Sequence, residues 1–227
     1  MNLFLRPLIS LNLILGVLPI RAEWQILFND QNLKGWSGDP KIWRVENGTI
    51  IGETNDTDKK ITENSFLIWQ GGEPADFTIE YKARVSGNNN SGVQYRSKIL
   101  DATKWRVTGY QMDLHADSSY LGMLYEEGGR GIACERGQRV KLNEKPEETG
   151  KLTVAEVKIE QWNTYRIVAR GHVLKHYVND ELAVEIDDVN AEKRSARGVI
   201  ALQVHTGPPM KVEFKDFKIL IESSKAP

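Results

Sequence analysis

Short runs of alternating apolar and polar residues, cut by Gly, Asn and Asp, recur along almost the whole chain, and no long stretch carries helical spacing. A period of two sends successive side chains to opposite faces of a strand, so the pattern demands sheets with one dry face. Candidate strands are Trp24–Phe28, Ile42–Val45, Thr49–Gly52, Phe66–Trp69, Phe77–Val85, Gly92–Arg96 and Gly109–His115. Gly122–Glu126, Thr164–Ala169, Leu174–Val178, Leu182–Ile186, Gly198–His205 and Lys211–Ile221 continue the series. Asn47-Gly48 and Asn179-Asp180 stand between such runs and read as two-residue hairpin turns. About a dozen strands imply two stacked antiparallel sheets, an all-β jelly-roll sandwich. Thr153-Val-Ala-Glu156 has capping-box spacing and predicts one short helical turn before Trp162. The polar stretch Arg136–Lys151, with Pro146 and Gly150, reads as a long surface loop.

Met1–Ala22 reads as a signal peptide: Arg6 supplies the positive start, LISLNLILGVLPI the apolar run, and Ala22 a small residue for cleavage. The run is too short to span a bilayer, and an N-terminal anchor is the alternative. Either way residues 23–227 form one domain outside the cytoplasm, periplasmic or extracellular, with no membrane span of its own. Lys and Arg total 30 against 31 Asp and Glu. That balance lacks the basic excess needed for phosphate backbones, which argues against nucleic acid as a partner. Cys134 is the single cysteine. It cannot form an intramolecular disulfide, so the core must hold the fold, and it reads as an inert small residue.

Three strands share an unusual wet side. Val93 and Tyr95 alternate with Gln94 and Arg96; Tyr110, Met112 and Leu114 with Gln111, Asp113 and His115; Leu202 and Val204 with Gln203 and His205. Solvated strand faces favour Thr, Lys and Glu; planar amides, imidazoles and carboxylates instead suit paired hydrogen bonds to neighbouring hydroxyls. If the strands are neighbours, they form a sugar-binding patch of Gln94, Gln111, Gln203 and His205, with Trp105 as the aromatic platform. Core packing is the alternative for Trp105, and His172 and His176 read as surface or packing residues.

A second dense segment is LGMLYEEGGRGIACERGQR, Leu121–Arg139. Glu126 and Glu127 end an apolar strand, and Arg130 can fold back over the glycines onto a carboxylate or an anionic intermediate. Adjacent strand residues face opposite ways, so at most one of the two glutamates faces a given site.

Taken in order, these segments resemble the 3-keto-disaccharide hydrolase domain family. The resemblance rests on LFNDQNLKGW (Leu27–Trp36), WRVENGTIIGE (Trp43–Glu53), DFTIEYKARV (Asp76–Val85), NSGVQYR (Asn90–Arg96), GYQMDLH (Gly109–His115) and LYEEGGRGI (Leu124–Ile132). WNTYRIVARG (Trp162–Gly171) and GVIALQVHTGPPMKVEFKDFKI (Gly198–Ile219) complete it. It departs at Gln111-Met112-Asp113, where many members carry Glu-x-Gln. The family implies a concanavalin-like jelly roll and an oxidised glycoside as partner: a ketone at C3 acidifies the C2 proton, and the C1 aglycone leaves by elimination followed by hydration. That chemistry needs a base, an enolate stabiliser and an acid. Asp113, Glu126 or Glu127 is the candidate base, His115 or His205 the acid, and Arg96 and Arg130 the enolate stabilisers. No cofactor is required by the sequence; a divalent metal is an alternative electrophile, though no ligand spacing demands one. The competing reading is a non-catalytic carbohydrate-binding or adhesion module on the same fold.

Overall fold

The computed structural model describes residues 23–86 and 89–222. The leader, and with it the export expectation, lies outside the described residues. Among the described residues seventeen strands run in chain order as β1 (Trp24–Ile26), β2 (Trp36–Ser37), β3 (Trp43–Glu46), β4 (Thr49–Glu53), β5 (Ser65–Trp69), β6 (Phe77–Ser86), β7 (Asn90–Asp101) and β8 (Arg106–His115). They continue as β9 (Leu124–Glu127), β10 (Gly131–Cys134), β11 (Gln138–Leu142), β12 (Pro146–Lys151), β13 (Asn163–Arg170), β14 (Val173–Val178), β15 (Glu181–Asp188), β16 (Val199–Val204) and β17 (Lys211–Ile221). One sheet has ten strands in the order β12-β11-β15-β14-β13-β6-β17-β4-β3, with β1 beside β17; the other has seven, β10-β9-β8-β7-β16-β5-β2. All pairings are antiparallel except β11 with β15, giving the two-sheet sandwich that the alternation implies.

The dry faces meet in one core. Along β6, Phe77, Ile79, Tyr81, Ala83 and Val85 are buried while the residues between them reach outward. Tyr81 stacks on Tyr165 from β13 and on Phe217 from β17, at centroid separations of 5.4 and 5.0 Å. From the opposite sheet, Met112 of β8 brings its sulfur 3.6 Å from the Tyr81 hydroxyl. Each such side chain taken from water contributes about 1.5–3 kcal/mol before entropy is counted. The Asn47-Gly48 and Asn179-Asp180 pairs have positive φ at both positions, 51° and 71°, 49° and 68°. Those angles define the primed turn that matches strand twist.

Two expectations need correction. Arg136–Lys151 is not a loop: it carries β11 and β12, because Val140 and Leu142 alternate within the polar run and both are buried. Thr153–Glu156 forms no helix, and none occurs among the described residues. Its backbone bonds elsewhere: Leu152 N donates to Gly137 O, Ala155 N to Glu181 Oε2, and Ala155 O accepts from Arg136. These tertiary partners outbid the i→i−4 bonds that a turn of helix would make.

Candidate active site

The wet face of the seven-stranded sheet holds a cleft of about 360 Å³ lined by Asn64, Asn90, Gln111, Asp113, His115, Tyr120, Met123, Tyr125, Glu127, Ile132, Gln203 and His205. Register explains the gathering. Asn90 pairs with His115, Gly92 with Asp113 and Gln94 with Gln111, so these side chains share one face of β7 and β8. Tyr125 and Glu127 of β9 pair with Gln111 and Gly109 and point the same way. Glu126, between them, turns to the other side. Gly92 keeps the floor open, since a Cβ there would lie 2.6 Å from the Gln111 side chain.

Asp113 sits on that floor, 2 % exposed. Gln111 Nε2 donates to its Oδ1 at 2.6 Å, and no cation pairs with it among the described residues. Burial pushes its pKa up to about 7, with the negative charge of Glu127 adding to the rise and the Gln111 bond opposing it. Glu127 is itself raised above the usual carboxylate range by burial, against a 3.5 Å bond from Asn64 and the nearby His205 and Arg106.

The two cleft histidines are held as opposite tautomers. Asp117 N donates to His115 Nδ1 at 2.9 Å, so neutral His115 carries its proton on Nε2. Burial depresses its pKa, which favours the neutral ring. His205 Nδ1 donates instead to Thr206 O, leaving Nε2 as an acceptor. Tyr125, which sequence reasoning missed, adds a phenol kept protonated by burial and by the charges of Glu127 and Asp113. Its i, i+2 relation to Glu127 on a strand is the signal that could have found it. Asn90, four residues before Gln94 on β7, carried the same kind of signal, while Asn64 and Tyr120 come from loops and left none. Among the described residues, no three His, Cys, Asp or Glu side chains converge in ligating geometry.

Gln111, Asp113, His115, Glu127, Gln203 and His205 therefore share one cleft, and the other candidates lie elsewhere. Arg96 has φ 47° at a bulge in β7, where the register with β8 shifts between Tyr95 and Lys98. The bulge re-aims its guanidinium to Ala75 O, Gly171 O and Asp76, with bonds of 2.7 to 3.0 Å. Arg130 is closed off by Glu126 at 2.5 Å and by a two-pronged pair to buried Asp188 at 2.6 and 3.0 Å. Trp105 caps a small cluster of Phe66, Ile68, Val107, Val199 and Ala201, and its indole donates to Ser37 Oγ at 3.1 Å. It is packing, not a platform in the cleft. Gln94 is fully buried beneath Gln111 and does not line the cleft.

A larger cleft, about 540 Å³, opens between Trp69, Asp76, His172, Arg194, Arg197 and Glu222. Its acids are paired: Asp76 with Arg96, Glu222 with Arg170 and Glu73 with Arg197. Size alone does not make a site, and the smaller cleft holds the unneutralised carboxylate.

The fold and cleft define a two-sheet β-sandwich with a polar cleft on the outer face of its seven-stranded sheet. Residues 23–220 match the model of the 3-keto-alpha-glucoside-1,2-lyase-like domain, and the chain belongs to that family. No curated protein sequence matches the chain. Among solved structures it is similar to a provisionally assigned glycosyl hydrolase from Parabacteroides distasonis, at 17% identity and TM-score 0.60, covering 88% of this chain and 100% of that one. It is also similar to the carbohydrate-binding module CBM66 from Bacillus subtilis, at 16% identity and TM-score 0.55, covering 82% and 95%. The κ-carrageenase from Pseudoalteromonas carrageenovora, at 10% identity and TM-score 0.58, covers 93% and 100%. At these identities the likeness is one of fold. Among the described residues no helix is long and apolar enough to cross a membrane.

Proposed function

We propose that this domain cleaves 3-keto-glycosides by removing the C2 proton and expelling the C1 aglycone. The observation that carries the reading is Asp113: a buried carboxylate without a cation, its pKa pushed up to about 7, on the floor of an open cleft. A base works best when its pKa lies near the working pH. Family membership supplies the substrate class.

Asp113 takes the C2 proton, and the electron pair left behind forms the C2–C3 enolate. Neutral His115, with its Nε2–H, donates to the enolate oxygen; this is work for a polarising donor and asks for no full proton transfer. The enolate then collapses to a C1–C2 double bond while the C1–O bond breaks. Asp113, now protonated, passes the proton it took to the departing oxygen, which leaves as the free alcohol. Water adds across C1–C2 to give the free 3-keto sugar. His205 Nε2 and the amides of Gln203 and Asn64 bind hydroxyls. Arg96 and Arg130 have no part in it. The leader, as read from the sequence, would place the reaction outside the cytoplasm, and N-terminal sequencing that finds Glu23 or a near neighbour would support export.

The test compares a chromogenic 3-keto-glycoside with its unoxidised parent, with and without added divalent metal. Aglycone release from the ketone alone is the expected result. Sugar binding with no release under either condition would leave the binding-module reading in its place.

A further inference from the structure

The cleft floor continues downward as a chain of hydrogen bonds. Ser97 Oγ donates to Gln94 Oε1 at 2.7 Å, Gln94 Nε2 to Gln111 Oε1 at 2.9 Å, and Gln111 Nε2 to Asp113 Oδ1 at 2.6 Å. The second hydrogen of the Gln111 amide reaches Gln203 Oε1 at 3.2 Å. Exposure falls from 2 % at Asp113 and Gln111 to 1 % at Ser97 and 0 % at Gln94, so water cannot replace a missing partner. We propose that Ser97, Gln94 and Gln111 are positioning residues forming a polarised relay that reserves Oδ1 of Asp113 for a permanent donor and leaves Oδ2 as its proton-accepting oxygen. The proposal rests on Asp113 being the base of the reaction above.

The direction of the relay follows from Asp113. An ionised carboxylate only accepts, so Gln111 must turn its NH2 toward it. The Gln111 carbonyl then faces Gln94, which must donate, and the Gln94 carbonyl faces the Ser97 hydroxyl. Flipping any one amide would set like atoms against each other in a dry place. Oδ2 of Asp113 has no partner among the described residues, and Asp113 lines the cleft.

The β7 bulge makes the relay feasible. In a regular strand Ser97 would face away from Gln94; the shift at Arg96 brings the two to the same side. Gly109 leaves the hydroxyl room, since a Cβ there would lie 2.7 Å from Ser97 Oγ. One backbone irregularity thus removes Arg96 from the cleft face and delivers the end of the relay.

The test titrates Asp113 by carbon NMR of carboxyl-labelled aspartate in substrate-free protein, for wild type, Gln94→Leu, Gln94→Glu and Ser97→Ala. Gln94→Leu frees the Gln111 amide and should raise the Asp113 midpoint by about one pH unit. Gln94→Glu draws the Gln111 NH2 away and should raise it at least as far, and Ser97→Ala less but in the same direction. On a 3-keto-glycoside, Gln94→Leu should lose about fivefold in kcat/KM at pH 7 and recover at pH 9, as a one-unit rise in the base pKa requires. A merely structural role would give a loss that pH does not restore. Unchanged midpoints in folded Gln94 variants would overturn the relay; if those variants fail to fold, an unchanged midpoint in Ser97→Ala does so. Midpoints that move in the variants as expected, with no aglycone release by wild type, would keep the relay and sink the reaction, so the two failures are distinguishable.

Discussion

Two aspartates are buried among the described residues, and the protein treats them in opposite ways. Asp188, at the sandwich end, receives both prongs of Arg130 and the Tyr110 hydroxyl. Asp113, in the cleft, receives one amide and no cation. Burial is nearly the same, at 1 % and 2 % exposed. A buried charge is costly unless paired, so an unpaired one persists only where something other than stability retains it. The contrast separates a carboxylate that holds two sheets together from one kept ready to take a proton.

Replacing each member should have a different signature. Asp113→Asn should lower turnover on a 3-keto-glycoside by roughly two to four orders of magnitude, the usual share of general base catalysis. It should also stabilise the fold. The folded pKa of about 7 lies above the 3.8 of an ordinary aspartate, so the folded state prefers the protonated acid. Wild type therefore loses stability as pH rises from about 4 to about 7, by up to ~4 kcal/mol. The asparagine variant avoids that loss, and its melting temperature should exceed that of wild type at pH 8 but not at pH 4. Arg130→Met leaves Asp188 and Glu126 without their cation, and denaturant titration should find it less stable by about 3–5 kcal/mol. The protein that remains folded should keep its pH–rate profile. An active-site role for Arg130 would instead change turnover in folded protein.

Smaller effects sharpen the comparison. Wild-type kcat/KM should fall about tenfold per pH unit below a midpoint near 7, because protonated Asp113 cannot accept the C2 proton. Glu127→Gln removes the like charge beside it and should lower the Asp113 midpoint by less than one unit in NMR titration. At His176, Nε2 meets the Tyr95 hydroxyl and Nδ1 donates to Gly122 O, both at 2.9 Å, and burial lowers its pKa to about 4. Tyr95→Phe removes that donor and should cost about 1–3 kcal/mol in a melt at pH 7, with no effect on the Asp113 titration.

The sandwich was legible because alternation is a local property: Phe77 to Val85 and Tyr110 to Leu114 name their dry faces without any knowledge of neighbours. Asp113, His115 and Gln111 were legible for the same reason, as the wet side of one strand. Glu127 against Glu126 followed from alternation only once the strand direction was known. Arg96 failed because a bulge reverses the rule at one residue, and neither Tyr95 nor Ser97 announces it. Arg130 failed because its partner, Asp188, lies 58 residues away in sequence. Val140 and Leu142 hid a strand inside a polar stretch, since β11 is short and buries only these two side chains fully. Asn64 reaches the cleft through tertiary placement that no spacing encodes.

The most direct measurement follows exchange of the C2 proton of a 3-keto-glycoside for solvent deuterium by NMR, in wild type, Asp113→Asn and folded Arg130→Met. The cleft carboxylate as base predicts rapid C2 exchange or elimination in wild type and Arg130→Met, and loss of both in Asp113→Asn. Exchange that persists at the wild-type rate in Asp113→Asn would contradict it.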